Sequence, residues 1–354
     1  MSDTEIICER RGAAGFITLN RPQALNALTH GMVRAIAVAL DAWEQDAAVE
    51  RVVVTGASGR AFCAGGDVRV LYDQGRAGDR QGMLRFWADE YRLNHRIKTY
   101  PKPYVALIDG IVMGGGVGVS LHGSHRVAGD NFMFAMPEVS IGFFPDVGAT
   151  WLLPRLPGRL GIWAALTGGR FHTGDACAFG LADAYVPSAN LAALARALEA
   201  PGNASTIIAR FGEPPPPAAL AAARGVIDRC FAAGSLGEIL ARLNAAASDE
   251  TAARAAASMR RNAPLSMAVA LRQMEAGAAL NFAQAMRLEY RIVSRVCRAG
   301  DFYEGVRARI IDKDQAPQWR PATIAALDPA QAAAYFAPLP EGDLILPALQ
   351  NQLA

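Results

Sequence analysis

Cysteine is scarce and scattered in this chain, with five residues out of 354 and no C-x-x-C pair. This distribution argues against a disulfide scaffold and favours a reducing compartment. An excess of charge of one sign is also lacking, because 35 Lys and Arg balance 33 Asp and Glu to a net charge of +2. The sequence therefore gives no reason to expect nucleic acid or an anionic membrane surface as a partner.

Long hydrophobic runs are lacking as well. The stretch that comes nearest to one, residues 104–121, contains Asp109 and a glycine cluster at 114–118. A charge and several glycines favour a buried strand and a tight turn over a membrane-spanning helix. Residues 1–11 are polar and contain no apolar core of a secretory signal. From these features we expect a cytoplasmic protein without a membrane partner.

The first half of the chain alternates short β-branched runs with amphipathic segments. The runs at 15–19, 51–55, 104–108 and 132–135 are predicted strands. Residues 29–44 are a predicted helix, because their apolar residues recur three and four positions apart. Strands separated by helices predict parallel pairing and the α/β class.

The composition changes in the second half. Four consecutive prolines at 214–217 cannot form a helix, and they predict either a stiff connector or, as the favoured interpretation, a surface loop without a function. Beyond them the chain is rich in Ala, Leu and Arg at helical spacing, most clearly at 263–276 and 282–297. We therefore expect an α/β core at 1–200 and a mainly helical extension at 201–354.

Two glycine-rich loops follow predicted buried strands, one at 60–67 (RAFCAGGD) and one at 110–118. Backbone can approach a ligand closely in such loops, and its N–H groups stay free to donate. Two loops lying side by side would present two donors to one oxygen, which is the geometry of an oxyanion hole. Tight turns and close packing also require glycine, so each loop alone is compatible with a structural role.

Two acidic residues, Glu138 and Asp146, interrupt an otherwise apolar run at 136–146. Buried acids are costly unless they are paired or used, so both are candidates for acid–base chemistry. An alternative is that Glu138 caps a helix or a turn and Asp146 is the N-cap of a helix that begins near Val147. The residues by themselves leave both interpretations open.

Several other kinds of site are excluded by their motifs. The chain has no G-x-x-x-x-G-K-[ST] phosphate loop, and the nucleophile elbow G-x-S-x-G fails at His122. His122 and His125 lie three positions apart without carboxylate or thiolate neighbours. We therefore expect no metal site.

Four short motifs and two longer stretches carry a resemblance to a known family. They are LNRP at 19–22 with ALNAL at 24–28, FCAGGD at 62–67, GGGVG at 114–118, MPE at 136–138, MPEVSIGFFPDVGATWLLPRLPG at 136–158 and EGVRARIIDKDQAPQW at 304–319. Together they resemble the crotonase (enoyl-CoA hydratase/isomerase) superfamily. The two longer stretches are most similar to its 3-hydroxyisobutyryl-CoA hydrolase subfamily. The likeness covers most of the chain and weakens between about 200 and 260.

The resemblance implies a spiral of ββα repeats followed by a helical region. It also implies that the backbone N–H groups of Gly66 and Gly115 form the oxyanion hole for the thioester carbonyl of an acyl-CoA substrate. Ala64 and Asp67 of the first loop are implied substrate-binding positions. No cofactor is implied, since CoA is part of the substrate, and the family suggests a homo-oligomer.

The acidic residues separate the branches of the superfamily. Hydratases resemble one another in having two glutamates, and Gly118 stands here at the first of these positions. The resemblance makes Glu138 and Asp146 the catalytic residues, since Asp146 stands where hydratases have a small residue and the hydrolases have an acid. Glu90 matches a substrate-contacting acid of the hydrolases.

An ordinary solvated glutamate on a helix face is the alternative for Glu90, because Asp89 and Arg92 beside it are typical surface residues.

The expected activity is hydrolysis of a short hydroxyacyl-CoA thioester, 3-hydroxyisobutyryl-CoA above all, as in valine breakdown. A hydratase or double-bond isomerase on the same fold is the first alternative, because an isomerase can work with a single carboxylate. A protein that binds acyl-CoA without catalysis is the second.

Overall fold

Over residues 4–57 and 60–346, the computed structural model describes ten strands. In chain order they are β1 (Ile6–Arg11), β2 (Ala14–Leu19), β3 (Arg51–Gly56), β4 (Ala61–Cys63), β5 (Tyr104–Ile108), β6 (Ile111–Met113), β7 (His125–Ala128), β8 (Met133–Ala135), β9 (Phe171–His172) and β10 (Ala184–Tyr185). They form a six-stranded sheet, in the order β1-β2-β3-β5-β7-β10, and a four-stranded sheet, in the order β4-β6-β8-β9. The four predicted strands correspond to β2, β3, β5 and β8.

From β3 to β8, successive strands alternate between the two sheets. The strands β3, β5 and β7 lie in the first sheet, and the strand that follows each of them, β4, β6 or β8, lies in the second. Neighbours in each of these sets pair in parallel. Helices between the strand pairs complete the turns, which confirms the expected α/β spiral of ββα repeats.

The α-helices surround these sheets. In chain order they are α1 (His30–Gln45), α2 (Val68–Arg76), α3 (Arg80–Lys98), α4 (Gly115–Gly118), α5 (Ala149–Leu152), α6 (Leu160–Thr167), α7 (Thr173–Ala178), α8 (Ser188–Ala197), α9 (Ala204–Ala209), α10 (Leu220–Cys230), α11 (Leu236–Ala245), α12 (Glu250–Arg261), α13 (Pro264–Gly277), α14 (Phe282–Val296), α15 (Gly300–Val306) and α16 (Pro329–Ala334). The predicted helices at 29–44, 263–276 and 282–297 are α1, α13 and α14.

The first sheet separates two hydrophobic cores, since successive side chains of a strand point to opposite faces. In β3, Val52 and Val54 belong to the larger core, and Val53 belongs to a smaller core beneath α8 and α9. The larger core continues from Ile6 to Leu346. The site described below lies within it.

The helical region packs directly on the α/β half. Helix α14 contacts α3 and α5, and α13 contacts α5 and α6. The division near residue 200 stays a prediction, and residues on both sides of it contribute to the larger core. The prolines at 214–217 are exposed and lie outside helices and strands, as expected of a surface loop or of a connector. Among the described residues, no helix combines the length and apolarity needed to cross a bilayer.

Candidate active site

Three loops meet because they follow three neighbouring parallel strands. β4, β6 and β8 are adjacent in that order, so their carboxyl ends lie at one edge of the sheet. The loop after β4 contains Gly66, the loop after β6 contains Gly115, and the loop after β8 contains Glu138. The three loops line a cavity of about 220 Å³.

The two predicted oxyanion donors lie side by side. A Cβ atom placed on Gly115 would be 3.3 Å from the backbone N of Gly66. Gly66 forms a parallel bridge with Leu28, but the hydrogen bonds of this bridge involve the residues next to Gly66. Leu28 N–H donates to the carbonyl of Gly65, and Asp67 N–H donates to the carbonyl of Leu28. Gly115 is the first residue of α4, so its N–H has no acceptor within the helix. Within the described ranges, neither Gly66 N–H nor Gly115 N–H donates to a protein acceptor.

The Glu138 carboxyl lies beside these donors. Its side chain is 8% exposed and lines the cavity, and one carboxyl oxygen, Oε1, is 3.4 Å from the position of a Cβ atom on Gly114. The other oxygen, Oε2, has no hydrogen-bond partner among the described residues. Burial, and then the charge of Asp146, raise the pKa of Glu138 well above its usual value. Glu138 caps no helix, so the capping interpretation is wrong for it.

Asp146 lines the same cavity and is 5% exposed. Tyr91 O–H donates to its Oδ2 at 2.8 Å. Burial raises the pKa of Asp146 to about 7, and the hydrogen bond from Tyr91 opposes part of that rise. Helix α5 has Gly148 at its N-cap position. The alternative that Asp146 is the N-cap of a helix is therefore wrong.

Glu90 is buried in α3 and is 2% exposed. Its Oε1 atom is 2.7 Å from the position of a Cβ atom on Gly115, which puts it next to the oxyanion donors. Burial, followed by the charges of Asp146 and Glu289, raises the pKa of Glu90 well above its usual value. Asp89 and Arg92 pair with each other on the outer face of the helix. The interpretation of Glu90 as a solvated residue is therefore wrong.

The other two predicted residues of the first loop differ from each other in position. Ala64 lines the cavity, and its N–H donates to Leu25. Asp67 lies outside the lining and pairs with Arg21 at 3.1 Å. Binding of substrate by Ala64 and Asp67 stays a prediction.

Position 118 has no room for a side chain. A Cβ atom on Gly118 would be 2.4 Å from the amide nitrogen of Asn94, a residue that is fully buried in α3. The amide of Asn94 has no hydrogen-bond partner among the described residues. Asn94 of α3 thus occupies the space that a glutamate side chain at position 118 would need.

Sequence reasoning missed a buried acid from the helical region and the apolar wall of the cavity. Glu289 of α14 is fully buried, and its oxygens accept the N–H groups of Gly148 and Thr150, each at 2.9 Å. Burial and the charge of Asp146 raise its pKa to about 8. The signal was present, because Glu289 lies on the buried face of α14 between Met286 and Ile292. The apolar wall was also missed, and it consists of Phe86, Trp87, Phe143, Phe302 and Ile310.

The buried acids make stability depend on pH. Since the folded state raises the pKa values of Glu90, Glu138, Asp146 and Glu289, it binds protons that the unfolded chain has lost. The stabilisation is complete below the unfolded pKa values and is lost as pH rises through the folded values of about 7 for Asp146 and about 8 for Glu289. We expect Tm to fall by at least a few degrees between about pH 5 and pH 8.5.

Thermal unfolding over a pH series checks this expectation. Asp146→Asn should reduce the slope of Tm against pH. Asp175 is a buried acid outside the cavity lining, and Asp175→Asn should leave that slope unchanged. A Tm that rises over the same interval would contradict the raised pKa values of these buried acids.

Comparisons with known proteins agree with this arrangement. A family model described as enoyl-CoA hydratase/isomerase matches residues 14–336. The mitochondrial 3-hydroxyisobutyryl-CoA hydrolase of Danio rerio is 43% identical over 97% of this chain and 92% of its own. The predicted resemblance to that hydrolase subfamily is thereby confirmed.

Two solved structures are also similar throughout. One is described as a carnitinyl-CoA dehydratase from Mycobacterium thermoresistibile, with 43% identity and a TM-score of 0.91 over 96% of this chain and 98% of that one. The other is described as an enoyl-CoA hydratase from Rhodobacter sphaeroides 2.4.1, with 43% identity and a TM-score of 0.92 over 97% of this chain and 100% of that one. The crotonase fold is thereby confirmed.

The expected cytoplasmic location is contradicted by the Danio rerio relative, which is named as a mitochondrial protein. That expectation rested on the absence of a secretory core in residues 1–11. The observation has no bearing on import into mitochondria, because the signals for that import are amphipathic and rich in arginine and need no apolar core.

The family match covers the whole cavity, whose lining runs from Ala64 to Ile310. It includes both glycine loops, the segment that holds Glu138 and Asp146, and the helices that pack behind them. The chain belongs to the enoyl-CoA hydratase/isomerase (crotonase) family.

Proposed function

We propose that this protein hydrolyses a short hydroxyacyl-CoA thioester, with 3-hydroxyisobutyryl-CoA as the favoured substrate and 3-hydroxyisobutyrate and CoA as products. The observation that carries the proposal is the Glu138 carboxyl, buried beside two free backbone N–H donors in one small cavity. The near-full-length similarity to a 3-hydroxyisobutyryl-CoA hydrolase supports the choice of substrate. Such a substrate implies a role in valine breakdown.

The reaction begins at the thioester carbonyl. Gly66 N–H and Gly115 N–H hold the carbonyl oxygen and stabilise the negative charge that develops on it. Donors fixed in a buried site need no reorganisation as that charge appears. The proposed chemistry uses no metal or redox cofactor, since CoA belongs to the substrate.

The ionised Glu138 supplies the next step in one of two ways. As a nucleophile, it forms a mixed anhydride at the acyl carbon, the C–S bond breaks, and water then cleaves the anhydride. As a general base, it takes a proton from the attacking water and returns it to the departing thiolate. Burial raises the pKa of Glu138, and a raised pKa makes the carboxylate a stronger base near neutral pH.

The cavity favours a short acyl chain with one polar end. Its volume of about 220 Å³ suits a small branched group, and four aromatic rings form its apolar wall. Asp146 and Glu90 provide the polar lining, and we propose that they orient the 3-hydroxyl or the attacking water.

Hydration of a double bond is the second candidate, because the two solved relatives are described as a dehydratase and a hydratase. A hydratase of the two-glutamate type needs a second acid after the glycine triplet. Gly118 stands at that position, and Asn94 fills the adjoining space. The site therefore favours hydrolysis.

Thiol release from a panel of thioesters tests the proposal. The panel contains 3-hydroxyisobutyryl-CoA, 3-hydroxypropionyl-CoA, methacrylyl-CoA and crotonyl-CoA. We expect fast thiol release from the two hydroxyacyl thioesters. Loss of the enoyl absorbance of crotonyl-CoA without thiol release would identify a hydratase, and tight acyl-CoA binding without any turnover would identify a binding protein.

Asp146→Asn should lower kcat/KM for the hydroxyacyl thioesters by about tenfold to a hundredfold, because a group that orients the substrate or the water is lost. The variant should fold, since the amide oxygen can still accept from Tyr91. Comparing 3-hydroxyisobutyryl-CoA with isobutyryl-CoA refines the result. A loss confined to the hydroxylated substrate indicates that Asp146 binds the hydroxyl, and an equal loss on both indicates that it orients water. An unchanged rate would remove Asp146 from the mechanism.

A further inference from the structure

The segment that holds Asp146 turns through a costly backbone conformation. Val147 has φ of 50° and Gly148 has φ of 92°. A β-branched residue with positive φ is a rare outlier, and such conformations persist only where surrounding contacts hold them in place. The contacts that hold this turn therefore decide where the Asp146 carboxyl points.

Two buried side chains from the helical extension supply contacts on both sides of Asp146. Glu289 of α14 accepts the N–H groups of Gly148 and Thr150. Gln273 of α13 is also fully buried, and its Nε2 donates to the carbonyl of Pro145 at 2.5 Å and to Oγ1 of Thr150 at 2.6 Å.

His122 completes the set of contacts from the α/β half. Its Nε2 lies 2.7 Å from the carbonyl of Val147 and is the donor, since a carbonyl can only accept. The backbone on each side of Asp146 is thus hydrogen-bonded to a separate element of the fold.

We propose that Glu289 and Gln273 are positioning residues, which hold the 145–150 segment from the helical extension and thereby aim the Asp146 carboxyl into the cavity. This inference rests on the proposed function, in which Asp146 acts on the hydroxyacyl substrate or on water.

The residue type at position 289 is restricted by these contacts. Both carboxyl oxygens accept a backbone N–H, so a glutamine would point its own NH₂ group at one of the two donors. Retaining an acid here is unfavourable in itself, because Glu289 is buried close to Asp146 and Glu90. The two N–H groups that Glu289 accepts explain why a carboxyl group occupies this buried position near other acids.

A double-mutant cycle separates positioning from a merely structural role. Glu289→Gln should lower kcat/KM at least about tenfold in the native background, since displacing Asp146 by about an ångström removes its alignment. In the Asp146→Asn background the same substitution should change kcat/KM by no more than about twofold, because the side chain it acts through is already gone. Equal losses in the two backgrounds, or no loss in either, would overturn the proposal.

Amide hydrogen exchange supplies a readout that needs no turnover. In Glu289→Gln, the amides of Gly148 and Thr150 should lose protection. Asp175→Asn is the matched control, because Asp175 is buried and accepts two backbone N–H groups, from His172 and Leu220. The control should leave protection at 148 and 150 and kcat/KM unchanged.

Retained protection at both amides in Glu289→Gln would contradict the anchoring itself. If Glu289→Gln does not fold, Gln273→Met tests the other anchor through the same double-mutant cycle, because Gln273 bonds the Pro145 carbonyl and Thr150 Oγ1 on either side of Asp146. If the proposed function is wrong, the wild-type protein releases no thiol. The exchange measurement needs no turnover, so it tests the anchoring by Glu289 separately from the proposed function.

Discussion

Glu138→Gln is expected to lower kcat for thioester hydrolysis by about a thousandfold or more, because neither the nucleophilic nor the general-base route works without the carboxylate. The substitution keeps the shape of the side chain. It also breaks no hydrogen bond at Oε2, which has no partner among the described residues. The fold and Tm should therefore be retained. Thiol release under saturating 3-hydroxyisobutyryl-CoA, together with circular dichroism, measures both expectations.

Substitution of a buried acid is itself a perturbation, so Asp175→Asn serves as the comparison. Asp175 is buried to a similar degree but lies outside the cavity lining. Activity should fall in Glu138→Gln alone. Unchanged turnover in Glu138→Gln would remove Glu138 from the reaction and with it the proposed chemistry.

The route taken by Glu138 is distinguished by a single turnover in water labelled with heavy oxygen. If the carboxylate attacks and water then cleaves the anhydride at the Glu138 carbonyl, the label enters Glu138 and is found by mass spectrometry of the peptide that contains it. General-base catalysis puts the label only into the released acid, and so does cleavage of the anhydride at the acyl carbonyl, so label in Glu138 is the result that identifies the covalent route. Glu138→Gln treated in the same way provides the background.

The sequence predicts which residues belong to the site better than it predicts which strands and loops lie next to one another. The family resemblance indicated Gly66 and Gly115, and the residues themselves indicated Glu138 as an acid in an apolar run. That β4, β6 and β8 are adjacent follows from pairing between segments about fifty and twenty residues apart, which local periodicity does not encode. The resemblance to the crotonase family implied the spiral of ββα repeats that brings these strands together.

Glu90 illustrates the limit of local reasoning on a helix. Arg92 is exposed and Asp89 is half-buried, and charged residues beside Glu90 suggest a solvated face by composition alone. A helix rotates about 100° per residue, so adjacent positions point in different directions. The face of α3 that carries Glu90 and Asn94 turns inward because the glycines of α4 leave room for it. Such a fit between two elements becomes visible only in the folded structure.

Gly115→Ala is the other substitution for which a large loss is expected. A Cβ atom at this position would lie 2.7 Å from Oε1 of Glu90, 3.1 Å from Cδ1 of Leu28 and 3.3 Å from the backbone N of Gly66. The methyl group would therefore push Glu90 aside and crowd the Gly66 N–H that is assigned to the oxyanion hole. Removing oxyanion stabilisation costs about 10²- to 10³-fold in kcat. We expect a loss at the upper end of that range, measured by thiol release.

Two further glycines show whether the position matters more than the added methyl group. At Gly66 a Cβ atom would first meet a ring carbon of Phe86 at 3.4 Å, which is ordinary contact, so Gly66→Ala should keep its N–H in place and lose less activity. At Gly237, in α11, a Cβ atom would meet nothing within 4 Å in the part of the chain that the structure describes, so Gly237→Ala should leave turnover unchanged. The order of losses, with Gly115 above Gly66 and Gly66 above Gly237, follows from where each methyl group would point. Equal activity in Gly115→Ala and Gly237→Ala would mean that the carbonyl oxygen binds elsewhere, and the two N–H groups would then lose their assigned role.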